Sequence, residues 1–435
     1  MLTIPHFFRA PQSSLDSAPP PDGGLQAWTQ VLIGHLINFN IWGQIQSFGI
    51  FQPIYSSTLS QTPSSISWIG SLQILLVYFV GTFSGRAMDA GYFKLMLVLG
   101  LFLQVFGIFM TSLASSYWQL LLSQGICQGL GNGLLFCPIV ALVSTYFTTK
   151  KTLAISCAAC GAATGGMVFP AIARQLLDKV GFAWTVRVMG FVALFNAIIA
   201  LTFARTRLPS RSTGPIVEWS AFKDRTYSFY AVGTFLTFWG SFFAFYYVRT
   251  YATDILGVPS STTFIILLIM NGMGLPGRIL PAILADRYFG ALSVFIPIVF
   301  LAGVLLLCWI AVESLAGLYV FAVFYGFFGG GVQSLFAASL AALTQDLGKV
   351  GVRVGMVFSI VGVASLTGPP LAGALIQRME GKYVGACIFG GVTMICGCGF
   401  IVAARLVKKD GQQRIERGKS TTASETSLSD EETKL

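Results

Sequence analysis

The chain is short of charge. Of its 435 residues only 10% are Asp, Glu, Lys or Arg, while 54% are hydrophobic. An ordinary soluble domain carries roughly 25% charged residues. So little charge cannot cover a water-soluble globule, so most of this surface faces lipid. Acids are scarcest: all 17 Asp and Glu residues fall in tails, loops or the ends of apolar runs. Histidines number two, His6 and His35. No His/Asp/Glu/Cys constellation stands inside the apolar runs, which argues against a membrane enzyme. No Asn-x-Ser/Thr sequon occurs, so N-glycosylation is not expected. Residues 1–21 hold no apolar h-region and read as a tail, not a cleavable signal. The net charge of +10 does not form one basic stripe, which excludes nucleic acid as a partner.

Eight cysteines are present, all inside apolar runs. They do not form a disulfide framework. Cys157 and Cys160 make a CxxC, Cys396 and Cys398 a CxC. A metal or redox site is one reading. Small residues at helix contacts is the other, and it is preferred because no histidine or carboxylate accompanies either pair. No metal and no cofactor is expected.

What the chain has is apolar length. A spanning helix needs about 20 mostly apolar residues. Twelve such runs lie near 29–51, 66–85, 94–113, 118–140, 152–176, 184–204, 228–249, 262–284, 291–311, 316–341, 354–376 and 384–405. The expected organisation is a tail over 1–28, a six-helix half over 29–205, a polar central loop over 206–227, a second half over 228–405 and a disordered tail over 406–435. Twelve spans put both termini on one side. With the termini inside, the inner segments hold most of the Lys and Arg. The outer side keeps Arg174, Lys179, Arg187, Arg249, Arg378 and Lys382. The positive-inside rule therefore places both termini in the cytoplasm.

The halves repeat. "NIWGQ" in span 1 matches "TFWGS" in span 7, with Trp42 and Trp239 197 residues apart. "MDAGYF" after span 2 matches "ADRYFG" after span 8, with Asp89 and Asp286 at the same offset. Six spans separate the copies, an even number, so the repeats are parallel and related by an axis along the membrane normal. "GRAMDAGYFK", with Gly85, Asp89, Gly91 and Lys94, loosely matches G-x-x-x-D-x-x-G-x-K/R. It resembles the cytoplasmic loop of the major facilitator superfamily. Its glycines make a tight turn, and Asp89 can face a neighbouring helix N-terminus and lock one conformation; Asp286, its repeat partner, is a further candidate gating residue.

Three further stretches resemble the monocarboxylate porter branch of that superfamily. They are "PPDGGLQAW" before span 1, "YFTTKKTLAISCAACGAATGG" at span 5 and "GPPLAG" in span 11; "GRILPAILADR" of span 8 looks like the fungal members. The resemblance implies an all-α major facilitator fold and a secondary transporter working by alternating access, with spans 1, 4, 7 and 10 lining the cavity. It also implies a plasma-membrane or internal-membrane location and a monomer sufficient for transport. Lactate carriers of the branch have a lysine in span 1 and an Asp four residues before an Arg in span 8. Here those positions fall at about Gln46, Gly274 and Arg278, so simple lactate–proton symport is not expected. Export of a fungal secondary metabolite is the favoured reading. Uptake of a carboxylate or a riboflavin-like vitamin is the alternative, and a non-transporting sensor of the same fold is the alternative of another class.

Polar groups inside the spans are the candidate site residues. Arg278 lies roughly 12 Å inward from the cytoplasmic loop at Asp286, by the helical rise. It is either a clamp for an anionic substrate group or a structural arginine bonded to helix carbonyls. In span 4, Gln124, Gln128 and Asn132 share one face. In span 1, His35, Asn38, Trp42 and Gln46 share another. Both stripes are expected to face the cavity rather than to bond neighbouring helices. Trp239, Tyr246, Asn271, Tyr325 and Gln333 complete the candidate set, and they suit a ring-bearing small organic substrate. His35 is the one intramembrane group able to titrate near neutrality; its other reading is a helix–helix hydrogen bond. Pro170 and Pro370, in matching spans 5 and 11, are expected bending points. Asp22 is expected to cap span 1, with Gly23 and Gly24 turning the chain into the membrane.

Overall fold

A computed structural model describes residues 20–59, 61, 63–207, 217–343 and 350–432, and the described residues form helices and short connections with no strand. Among the described residues ten helices are long and apolar enough to cross a membrane. One of them, Lys151–Phe203, is two helices broken at Gly181, whose φ of 75° needs a residue without a Cβ. An eleventh long helix, Gly24–Thr58, carries amides and hydroxyls that dilute its apolar character but is 35 residues long. The spans are therefore twelve: α1 (Gly24–Thr58), α2 (Pro63–Asp89), α3 (Phe93–Thr111), α4 (Tyr117–Tyr146), α5 (151–180), α6 (182–203), α7 (Arg225–Asp254), α8 (Ser260–Leu284), α9 (Ala291–Cys308), α10 (Leu315–Leu343), α11 (Val350–Arg378) and α12 (Val384–Glu432). Exposed Phe79, Phe102, Phe106, Phe195, Phe324 and Phe400 stand on the outside, where lipid solvates them at no cost.

Helix contacts reproduce the repeat. In the first half α1 packs on α5 and on α6; in the second α7 packs on α11 and on α12. The halves meet where α2 lies against α11 and α5 against α8. Adding six to one of these pairs gives the other, as a two-fold axis between parallel repeats requires. Glycine makes the close crossings. A Cβ at Gly161 or Gly165 would collide with the α1 carbonyls of His35 and Phe39, and one at Gly277 or Gly326 with those of Phe327 and Met270. Gly161→Val should therefore separate α1 from α5 at several kcal/mol cost, about the scale of severe overpacking. The check is loss of monodisperse protein on gel filtration, and an unchanged profile would contradict it.

Several sequence expectations change. The first helix begins at Gly24, inside the stretch read as a tail. Asp22 does not cap it: the α1 N-cap, Gly23, has no side-chain cap. Asp22 instead has a left-handed backbone (φ 51°), and its carboxylate accepts from the backbone N–H of Thr148 and Thr149 and from the Thr148 hydroxyl. These bonds hold its carboxyl below the usual range, the Thr148 hydroxyl contributing most. The latch is thus intact at neutral pH and is lost as pH falls through that lowered value. The motif joins the N-terminus to the α4–α5 turn, and Trp28 seals it edge-on against Phe147 at 5.3 Å. The C-terminal tail, read as disordered, continues α12 as backbone helix to Glu432; its Lys, Arg, Gln and Glu are good helix formers and no proline interrupts them. Pro170 and Pro370 lie inside helices that run on through them.

Candidate functional site

Between the halves lies a cavity of 470 Å³. Its walls come from α1, α2, α7, α8 and α10. It opens at the end of the bundle away from the N-terminus, beside Gln52 and Ser56 near the end of α1, Thr253 and Asp254 at the end of α7, and Thr263 at the start of α8. Of the expected site residues, Trp42, Gln46, Tyr246, Asn271, Arg278 and Gln333 line it. Asn38 lies below, in a much smaller cavity that also touches Trp42, Arg278 and Gln333. Arg278 and Gln333 thus stand at the partition between a large chamber and a small one.

The Arg278 geometry is specific. The side chain is only 3% exposed. Its Nη2 donates to Gln333 Oε1 at 2.8 Å and its Nη1 to Gly274 O at 3.0 Å, while Nε has no partner. No carboxylate pairs with it among the described residues. Gly274, standing where lactate carriers have an acid, makes this fold-back feasible, because a Cβ there would come 2.6 Å from Nη1. A buried guanidinium without a counter-ion is costly unless a ligand or water completes it. Aromatic rings form the adjoining wall: Trp42 stacks on Phe242 at 6.2 Å, with Phe48, Phe245 and Tyr246 beside them.

Six expected site residues lie elsewhere. The α4 stripe turns into the first half. Gln124 accepts from Tyr55 at 2.9 Å, Gln128 accepts from Gln73 at 3.3 Å and donates to Thr111 at 3.1 Å, and Asn132 accepts from Gln104 at 2.6 Å. Periodicity showed that the three amides share a face, but not which way the face points; partners on α1, α2 and α3 decide that. Trp239 packs against Phe389 of α12 at 5.0 Å, not into the cavity as its repeat partner Trp42 does. Tyr325 is fully buried and donates to Ser241 O at 2.7 Å. His35 also faces α5: Nδ1 meets Cys157 O at 3.2 Å and Nε2 meets the Thr164 hydroxyl at 3.0 Å. Both ring nitrogens thus join helices and neither reaches the cavity. Asn132→Leu should then lower thermal stability, since Gln104 loses its partner at a cost of about 1–3 kcal/mol, while probe binding in the cavity is retained. A selective loss of binding with normal stability would return the stripe to the site.

Other lining residues had escaped notice in the sequence. Gln52 extends the α1 stripe of Trp42, Ile45, Gln46 and Gly49 along one helical face, and the spacing alone could have found it. Phe245 sits just past the point near Phe242 where the regular helix of α7 is interrupted, and no pattern marks it; Phe242 itself is among the aromatics expected from span 7. Arg249, counted only as an outer charge, lines the mouth.

The opposite end is shut. A chain of aromatics crosses between the halves: Trp42 to Tyr78 (5.9 Å), Tyr78 to Phe358 (6.0 Å), Phe358 to Phe336 (5.2 Å), Phe336 to Phe238 (4.9 Å) and Phe238 to Phe242 (6.1 Å). Beyond it Thr82 donates to Gly355 O at 2.8 Å, tying α2 to α11. The role expected of Asp89 is taken by its repeat partner Asp286: its carboxylate accepts from Thr152 N at 3.0 Å and Leu153 N at 2.7 Å, at the first turn of α5. The side chain of its repeat partner Asp89 lies outside the described residues. Gly85 is buried near the end of α2, and Gly91 turns the following loop with φ 88°.

Two parallel six-helix repeats, enclosing one cavity open at one end and sealed at the other, define a membrane transporter of the rocking two-half class. The chain matches the Major Facilitator Superfamily over residues 32–312 and 282–430. An MFS-type transporter of Gibberella zeae is 47% identical over 394 residues, covering 90% of this chain and 89% of that protein. The agnestins efflux protein AgnL12 of Paecilomyces divaricatus is 32% identical over 413 residues, with 94% of each chain covered. Among solved structures, the human organic anion transporter MFSD10 superposes with a TM-score of 0.69 at 14% identity, over 86% of this chain and 99% of that one, a likeness of fold. The chain belongs to the major facilitator superfamily.

Proposed function

We propose that this protein exports a small, ring-bearing, anionic organic molecule, a fungal secondary metabolite, by alternating access. One observation carries the reading: a buried Arg278 with an unpartnered Nε, held in position by Gln333 at the floor of an aromatic- and amide-lined cavity. The efflux role of the relative AgnL12 supports the direction. The charge bias of the loops supports cytoplasmic termini and hence a cavity open to the outside. The lineage fits the monocarboxylate porter branch with its charge set altered. Arg278 stays, while Gln46 and Gly274 replace the lysine and the acid. Of the described cavity-lining residues only Asp254, at the mouth, is a carboxylate. Proton coupling through a deep carboxylate is therefore not part of this account, and one chain suffices for the whole pathway. The host membrane is proposed to be the plasma membrane.

The test uses a fluorescent ring-bearing anion, naphthalene-2-carboxylate, loaded into yeast cells carrying the protein. Loss to the medium should be faster than from cells carrying the Arg278→Ala form. Faster entry without faster loss would favour the uptake reading, and no flux in either direction would favour a sensor.

A further inference from the structure

Arg249 carries a charge that no carboxylate among the described residues answers. It lies on α7 at the mouth of the cavity, half-buried. Its Nε is buried without a hydrogen-bond partner, and no ion pair joins it to Asp254, which lines the same mouth. Another cation on this side is Arg174 of α5, whose guanidinium sits over the Phe264 ring at 4.8 Å. A half-buried guanidinium without a carboxylate, at a semi-enclosed and half-apolar opening, favours an anion beside it.

Chain direction aims the two cavity arginines at each other. Helical side chains tilt toward the N-terminus of their own helix. α7 runs toward the open end and α8 away from it, so Arg249 leans down into the cavity and Arg278 leans up. Asp254 and Ser260, the ends of these two helices, are joined by a short turn and so lie at similar depth. From there Arg278 is ~27 Å down and Arg249 ~8 Å down at 1.5 Å per residue. If each side chain reaches ~6 Å, the guanidinium heads are left roughly 8 Å apart along the axis, the wall between them being aromatic. That wall includes Trp42, Phe242, Phe245 and Tyr246.

We infer that the cavity binds a molecule with two acidic groups at opposite ends of a flat apolar body, lying along the aromatic wall and alongside both guanidinium heads, with one acid beside Arg278 at the floor and the other beside Arg249 at the mouth. This rests on the anion-exporter reading and narrows its substrate to diacidic, ring-bearing compounds. A monoacid fills only the lower position.

Two probes separate the ideas: naphthalene-2-carboxylate, with one acid, and naphthalene-2,6-dicarboxylate, with one at each end. Their binding is read by tryptophan fluorescence of the full-length protein in nanodiscs, where Trp42 reports on the cavity. The wild type should prefer the diacid by about 10-fold or more, the scale of one charge-assisted hydrogen bond. Arg249→Gln should lose that preference, and Arg249→Lys, which keeps the charge, should keep part of it. An equal preference in wild type and Arg249→Gln, or none in the wild type, overturns the inference. In both cases monoacid binding that still depends on Arg278 leaves the exporter reading standing. If neither probe binds, or binding ignores Arg278→Gln, the exporter reading falls and this inference with it.

Discussion

Arg278→Ala is expected to abolish flux of an anionic substrate while the protein still reaches its membrane. Arg278 lines the cavity, its Nε is buried without a partner, and the guanidinium is held by two bonds, to Gln333 and to Gly274. A hydrogen bond to a charged partner contributes about 1.5–3 kcal/mol, so losing it costs roughly 10- to 150-fold in binding. Lysine should not rescue. Its ammonium is a point charge on a flexible stem and cannot keep the Gln333 contact while offering a second donor to the ligand. Stability should move the other way. A buried cation without a counter-ion is a burden in the empty protein, so Arg278→Gln should leave the melting temperature unchanged or raise it. Loss of flux with a retained melting temperature separates a binding role from a structural one. Normal flux in Arg278→Ala would remove the clamp.

The second large effect is expected at Asp286. Its two oxygens each accept an N–H from the first turn of α5, where free donors and the helix dipole favour a negative charge. The bond crosses from α8 of one half to α5 of the other, so it exists only while this end is shut. Asp286→Ala removes two charge-assisted bonds, together at least about 1.5–3 kcal/mol, enough to change the balance of two conformations by 10-fold or more. The sealed state should lose population and turnover should fall, because a carrier must close each end in turn. Hydrogen exchange at the Thr152 and Leu153 amides should speed up by a similar factor. Asp286→Asn, which can still accept one bond, should lie between. Exchange and turnover that both match the wild type would show that the contact is incidental.

The fold was legible because lipid imposes a simple rule on sequence. Each crossing needs a run of apolar residues, and twelve runs were countable. The parallel repeat was legible from two residue pairs at a single offset, and the helix contacts agree with it. The site was legible in part. Arg278, Asn271 and Gln333 stood out because charges and amides are rare in lipid. Of the α1 stripe, Trp42 and Gln46 line the cavity, Asn38 lines the small space below it and His35 neither, and Gln46 also donates to Ala162 O of α5. The equally regular α4 stripe does not face the cavity, since a helix period gives relative positions on a cylinder and leaves its rotation open. Gln73 and Gln104, its partners, lay on other helices with nothing to link them in the sequence. Trp239 shows a second limit: a repeat preserves position in the fold, while neighbours such as Phe389 decide which way a side chain points. Asp22 shows a third. A carboxylate just ahead of a helix suggests a cap, but a left-handed backbone at Asp22 sends it to the Thr148 turn.

The central claim is that one cavity is served alternately from two sides, with the present structure open to the outside. Single cysteines placed at Gln52, in the mouth, and at Asn38, below the Arg278 partition, test it most directly in a protein lacking its eight native cysteines. A membrane-impermeant maleimide should label Gln52→Cys from outside intact cells and Asn38→Cys only in inverted vesicles, with naphthalene-2-carboxylate slowing both reactions. Labelling of Asn38→Cys from outside as fast as Gln52→Cys, or of Gln52→Cys only in inverted vesicles, would contradict it.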